Sequence, residues 1–90
     1  MKFTDLKFHE LYDGVQSIVD YGQYQLSVVK HSGSYGGTRG LYEIAVFNDG
    51  NQIELPGITQ DNDTVKGYLT QDDVNCILIK MTSITGNNGV

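Results

Sequence analysis

Residues 15–30 read Val-Gln-Ser-Ile-Val-Asp-Tyr-Gly-Gln-Tyr-Gln-Leu-Ser-Val-Val-Lys, and this stretch decides the fold. Two runs rich in β-branched and aromatic residues flank Gly22-Gln23, and Gly at the first position of a two-residue loop supplies the positive φ that a type II′ turn requires. The turn sets the register: Tyr21 opposite Tyr24, Val19 opposite Leu26, Ser17 opposite Val28. Val15, Val19, Tyr21, Tyr24, Leu26 and Val28 then share one face, and Gln16, Ile18, Asp20, Gln25, Ser27 and Val29 the other. An antiparallel sheet with one covered face carries this pattern.

A second hairpin follows, Leu41 to Asn48 and Asn51 to Leu55 around Asp49-Gly50. A two-residue type I′ turn pairs Val46 with Ile53 and Ile44 with Leu55; a three-residue loop would pair Ala45 with Ile53 and Glu43 with Leu55. Only the first buries no charge, and it turns Tyr42, Ile44, Val46, Ile53 and Leu55 inward. Glu43, Ala45, Phe47 and Glu54 then lie outward, with Phe47 a large exposed apolar group.

The C-terminal third holds the one convincing helix, Thr70 to about Thr85. Thr70 is an N-cap residue type, Asp72 and Asp73 occupy the first turn where the dipole favours negative charge, and Leu69 and Val74 fit a hydrophobic staple. Val74, Ile77, Leu78, Met81 and Ile84 make one apolar stripe, and Gly86 is placed to end the helix. Ile79, about 140° around the helix from Val74, falls outside the stripe. The expected fold is α+β: a four-stranded antiparallel β-meander of two hairpins, 15–55, with one C-terminal α-helix packed on one face. Residues 1–14 read as an extended edge segment or an irregular arm, and 86–90 as a frayed tail.

The chain has 90 residues, the length of one small domain. Its 10.0 kDa corresponds to roughly 5,200 Å² of accessible surface when folded. One Ala beside 11 Gly and 6 Tyr favours strands and turns over helix. With one Cys, Cys76, no internal disulfide is possible. A net charge of -5 argues against direct nucleic-acid binding, which is built on Lys and Arg. No apolar run approaches a membrane span or a secretory signal, so a cytoplasmic protein with no membrane association is expected.

Ser32-Gly-Ser-Tyr-Gly-Gly-Thr-Arg-Gly40 is the most distinctive local sequence. Gly-freed N–H groups, hydroxyls and an Arg are the parts of an anion cradle, which makes Tyr35, Gly36, Gly37 and Arg39 candidate ligand-binding residues for a phosphate or nucleotide. It lacks the Walker lysine and the strand-to-helix context of a dinucleotide fingerprint, so a structural connection is the plainer reading. His9 and His31 have no Cys, Asp or Glu at metal-ligand spacing. Asp61, Asn62, Asp63 and Asp72 resemble a calcium loop, but Val65 and Lys66 stand where an oxygen ligand and the turn glycine belong. Cys76 sits mid-helix with no partner base, and Asp72 and Asp73 are explained as dipole partners, so no catalytic group, metal or cofactor is expected and the chain does not read as an enzyme.

The run SGSYGGTRGLYEIAV, the later GYLTQDDVNCILIKM and the opening MKFTDLKF resemble small uncharacterised proteins of tailed bacteriophages, including phages of marine cyanobacteria. The resemblance spans nearly the whole chain. It implies phage origin and expression in an infected host cell, and it brings no activity.

Three function classes follow. A small protein-interaction module acting on a host or phage protein leads, because the core is well specified and no site for chemistry assembles. Phe3, Phe8, Phe47 and Ile79 are the candidate interface residues, and the open edge of the first strand, Val15 to Tyr21, leads to the expectation of a homodimer. The alternatives are a small-molecule, phosphate or nucleotide binder using the loop 32–40, and an acidic inhibitor of a host nucleic-acid-binding protein.

Overall fold

The two hairpins form as their turn residues dictate. In the computed structural model, which describes residues 1–90, β2 (Gly14–Tyr21) and β3 (Tyr24–Lys30) pair with Tyr21 opposite Tyr24 and Val19 opposite Leu26. Gly22 has φ 86°. Asp49 and Gly50, φ 54° and 85°, form the second turn, between β4 (Tyr42–Asn48) and β5 (Asn51–Ile53), with Val46 opposite Ile53.

The sheet has six strands rather than four. The arm contributes β1 (His9–Leu11), antiparallel to β2 with His9 opposite Gln16. Three residues are too few to show a period, which hides this strand from the sequence. β5 stops at Ile53, so Leu55 does not pair with Ile44. Instead β6 (Val65–Leu69) takes the rest of the β4 edge, with Ala45 opposite Val65, Ile44 opposite Lys66 and Tyr42 opposite Leu69. The order is β1-β2-β3-β4-β5, with β6 beside β5 along β4, all antiparallel.

Helix α1 (Gln71–Thr85) crosses the apolar face. Thr70 Oγ1 accepts from the Asp73 N–H at 3.1 Å and Asp73 Oδ2 accepts from the Thr70 N–H at 2.9 Å, a reciprocal capping box. Gly86, φ 70°, ends the helix. Val74, Ile77, Leu78 and Met81 are buried against Val19, Tyr21, Leu26, Val28, Tyr42, Ile44 and Val46. Ile84 lies past the end of the contact and is exposed, whereas Ile58, in the turn after Pro56, joins the core. The accessible surface, 5304 Å², matches the roughly 5,200 Å² that scaling gives for a single folded domain.

Two further expectations change. Residues 87–90 do not fray: the Val90 N–H and C=O exchange 2.9 Å hydrogen bonds with the backbone of Asp20, and Gly89 lies so close to Val19 and Tyr21 that a Cβ would collide with them. The edge of β2 is therefore occupied at one end by β1 and at the other by Val90, which leaves only Ser17 to Val19 of the open edge behind the homodimer expectation.

Candidate functional site

Phe3, Phe8, Phe47 and Ile79 do not come together. The arm folds onto the helix side of the sheet, where Phe3 and Phe8 pack around Tyr42 with ring centres 5.2 and 6.0 Å away, and the Phe3 N–H donates to Asn75 Oδ1. Phe47 points out of the opposite sheet face, half-buried rather than exposed, in a row with Gln25 and Gln52. Ile79, 67% exposed, lies on the outer side of the helix. The four residues thus divide between a core extension and two remote surfaces.

The Gly-rich loop is ordered and its hydrogen bonds turn inward. Ser34 is buried; its Oγ donates to the His31 carbonyl at 2.8 Å and accepts the His31 N–H at 3.0 Å. The N–H of Ser32 goes to Asp13 Oδ1 and that of Gly33 to His31 Nδ1. The N–H groups of Ser34, Gly37, Arg39 and Gly40 all bond to carbonyls within the loop or at its start. The ring of His31 meets Tyr12 edge-on with centroids 5.1 Å apart. Six of the loop N–H groups are thus engaged within the protein, which makes the loop a brace for its surroundings. Gly37 is required by closeness, since a Cβ would fall 1.8 Å from the His31 carbonyl oxygen.

The brace holds a bulge in β6. Between the Ile44–Lys66 and Tyr42–Leu69 pairs, two residues of β6, Gly67 and Tyr68, oppose the single Glu43 of β4. Tyr35 closes over them: a Cβ on Gly67 would lie 2.3 Å from the Tyr35 Cβ, and the Tyr68 N–H donates to the Tyr35 carbonyl at 3.1 Å. Tyr68 is left at φ 58°, a conformation costing a non-glycine residue about 1–2 kcal/mol. Tyr68 is 57% exposed and Tyr35 58%, while the Arg39 guanidinium carbon lies 6.0 Å from the Tyr68 ring centre.

Charges of both signs line this ridge. Two open clefts flank Tyr68 and share Lys66 and Gly67. One, about 310 Å³, runs to the helix and is lined by Lys80, Asp73 and Cys76; the other, about 240 Å³, runs to the outer sheet face and is lined by Tyr35, Gln60, Asp63 and Val65. Arg39, Lys66 and Lys80 are all exposed, half of the 6 basic residues of the chain. The nearby acids are engaged with backbone: Asp73 with Thr70 and Asp63 Oδ1 with the Thr64 N–H. The Asp73 carboxyl is held below its ordinary value by the Thr70 hydrogen bonds. Burial pushes the Glu43 carboxyl up, against the opposing pull of the Tyr35 N–H and of His31.

Of the residues singled out from sequence, Tyr35 and Arg39 stand on this ridge, while Gly36 and Gly37 shape the loop beneath it. Tyr68, Lys66 and Lys80 were not identified; Gly67, set inside a strand-like apolar run, is the signal that marks a bulge and a close backbone approach there. Cys76 is a free, exposed thiol. No three His, Cys, Asp or Glu side chains converge as a metal site would need, and no helix is long and apolar enough to cross a membrane. Set against family models, curated proteins and solved structures, the chain matches none.

Proposed function

We propose that this chain is a small protein-interaction module whose contact surface is the ridge of Tyr35, Arg39 and Tyr68. One observation carries the reading: Tyr68, an exposed aromatic residue, is held in a left-handed backbone conformation inside a bulge. Strain of this kind persists only where the surrounding structure over-determines it, as the Tyr35 contacts do here, and it clusters at binding sites; glycine would relieve it at no steric expense. Tyrosine and arginine are the residue types that anchor protein interfaces, because a rigid ring and a planar cation lose little conformational freedom on burial. The clefts beside Tyr68 are shallow and open, which suits a protein surface better than an enclosed small molecule.

The resemblance to small phage proteins implies a host or phage protein as the partner. Self-association is the weaker form of the same reading, because β1 and Val90 already occupy both ends of the β2 edge on which it rested. The test is affinity capture from host lysate with the native chain and with Tyr68→Gly, which keeps the backbone conformation and removes the ring. A partner retained by the native chain and lost by Tyr68→Gly supports the reading; partners retained equally by both refute it.

A further inference from the structure

The segment after the helix carries a chemistry of its own, and we propose that Asn88-Gly89 is a self-modifying site whose conversion to isoaspartate releases residues 87–90 from the edge of β2. Of the six Asn residues only Asn88 precedes Gly, and a residue without a Cβ lets its backbone nitrogen approach the preceding side-chain amide. In the reaction the Gly89 nitrogen attacks Asn88 Cγ, the new N–C bond closes a five-membered succinimide, and the Cγ–Nδ2 bond breaks. Nδ2 leaves as ammonia, its third proton made up by the one the Gly89 nitrogen loses. Water then opens the ring. Attack at Cγ gives an ordinary aspartate; attack at the main-chain carbonyl gives isoaspartate, in which the chain runs through the side-chain methylene.

The structure leaves the electrophile free and holds the nucleophile. Asn88 is exposed, and the hydrogen bonds of this segment are made by Thr85, Asn87, Gly89 and Val90 rather than by its side chain. The Gly89 N–H donates to Asn87 Oδ1 at 2.9 Å, so Asn87 acts as a brake. Asp13-Gly14 and Asp49-Gly50 offer only carboxylates, which are poor electrophiles at neutral pH. The isoaspartyl product does not fit the native turn. That turn is closed by the Gly86 N–H on the Thr82 carbonyl, the Asn87 N–H on Thr85 Oγ1 and the exchange between Val90 and Asp20. An extra methylene in the main chain displaces Gly89, which already lies where a Cβ would be 2.8 Å from Tyr21 and 2.9 Å from Val19. Letting go of Asp20 relieves the misfit, and the β2 edge from Ser17 to Asp20 is then open to another strand.

The test ages the native chain, Asn88→Gln and Asn87→Ala side by side in neutral buffer at body temperature. Peptide mass spectrometry with an isoaspartyl methyltransferase assay locates the modification, and amide hydrogen exchange follows Asp20 in the isoaspartyl fraction separated by ion exchange. A gain of about 1 Da confined to position 88 is expected, several-fold faster in Asn87→Ala and absent from Asn88→Gln. In the isoaspartyl fraction the Asp20 amide, having lost the Val90 carbonyl, should exchange about tenfold faster or more than in the unaged chain. A native chain that stays unmodified at 88 while its urea-unfolded form converts would overturn the site. An Asp20 amide as protected in the isoaspartyl fraction as before ageing would overturn the release. A rate in Asn87→Ala no higher than in the native chain would refute the mechanism, because the Gly89 nitrogen would then not be restrained as the structure shows.

Discussion

Replacing Tyr68 by Ala and by Gly separates what the ring does from what the backbone tolerates. Both variants remove the same exposed ring and the same contact with Arg39, so the difference between them reports the backbone alone. At φ 58°, Ala retains the left-handed penalty of about 1–2 kcal/mol that any Cβ brings, whereas Gly has none. Against this, Gly loses about 0.5–1 kcal/mol more conformational entropy on folding than Ala does. The balance favours Gly by about 0.5–1 kcal/mol, inverting the usual order within a strand. In a domain of this size the melting temperature of Tyr68→Gly should exceed that of Tyr68→Ala by about 2–8 °C, read by differential scanning calorimetry at equal concentration. If Tyr68→Ala melts at or above Tyr68→Gly, the backbone at this position is not strained, and the argument that function holds a tyrosine there fails.

Thr70→Ala removes the helix cap and should cost about 1 kcal/mol in urea unfolding followed by circular dichroism. Glu43→Gln should raise the melting temperature at pH 7: a carboxyl raised by burial lends full stability only when protonated, so the gain should shrink as pH falls through the carboxylate range, and a gain independent of pH would refute the assignment. Burial raises the Tyr21 hydroxyl to about 12, so stability should fall as pH rises from about 10 toward 12, and Tyr21→Phe should flatten that fall. Gly37→Ala should cost about 3 kcal/mol or more, because a methyl cannot share the space of the His31 carbonyl oxygen.

Much of the fold was legible because turn chemistry and period agree locally. Gly22-Gln23 and Asp49-Gly50 each specify one hairpin, and Thr70 with Asp73 specifies the helix start; none depends on distant residues. The pairing of β1 and β6 is not legible, for the opposite reason, although both segments can be read as extended. His9–Leu11 has three residues and gains its pairing from Gln16 and Val15. Val65–Leu69 is interrupted by a bulge whose shape is set by Tyr35, some thirty positions earlier in the chain. The site shares this limit: Tyr35 and Arg39 stand out in sequence because the loop is unusual, but the partners that complete the ridge, Tyr68, Lys66 and Lys80, come from a strand and a helix brought beside it by the sheet. The anion-cradle expectation counted glycines as free N–H groups, and the hydrogen bonds that close the loop on Ser34 and His31 could not be read from composition.

The most direct measurement of the contact surface is site-specific photo-crosslinking in host cells, with a benzophenone amino acid placed singly at positions 35, 47 and 79. Position 35 lies on the ridge, 47 on the outer sheet face and 79 on the far side of the helix. Adducts to another protein from position 35, and none from 47 or 79, are the predicted result. Adducts from 47 or 79, or none from 35, would contradict it.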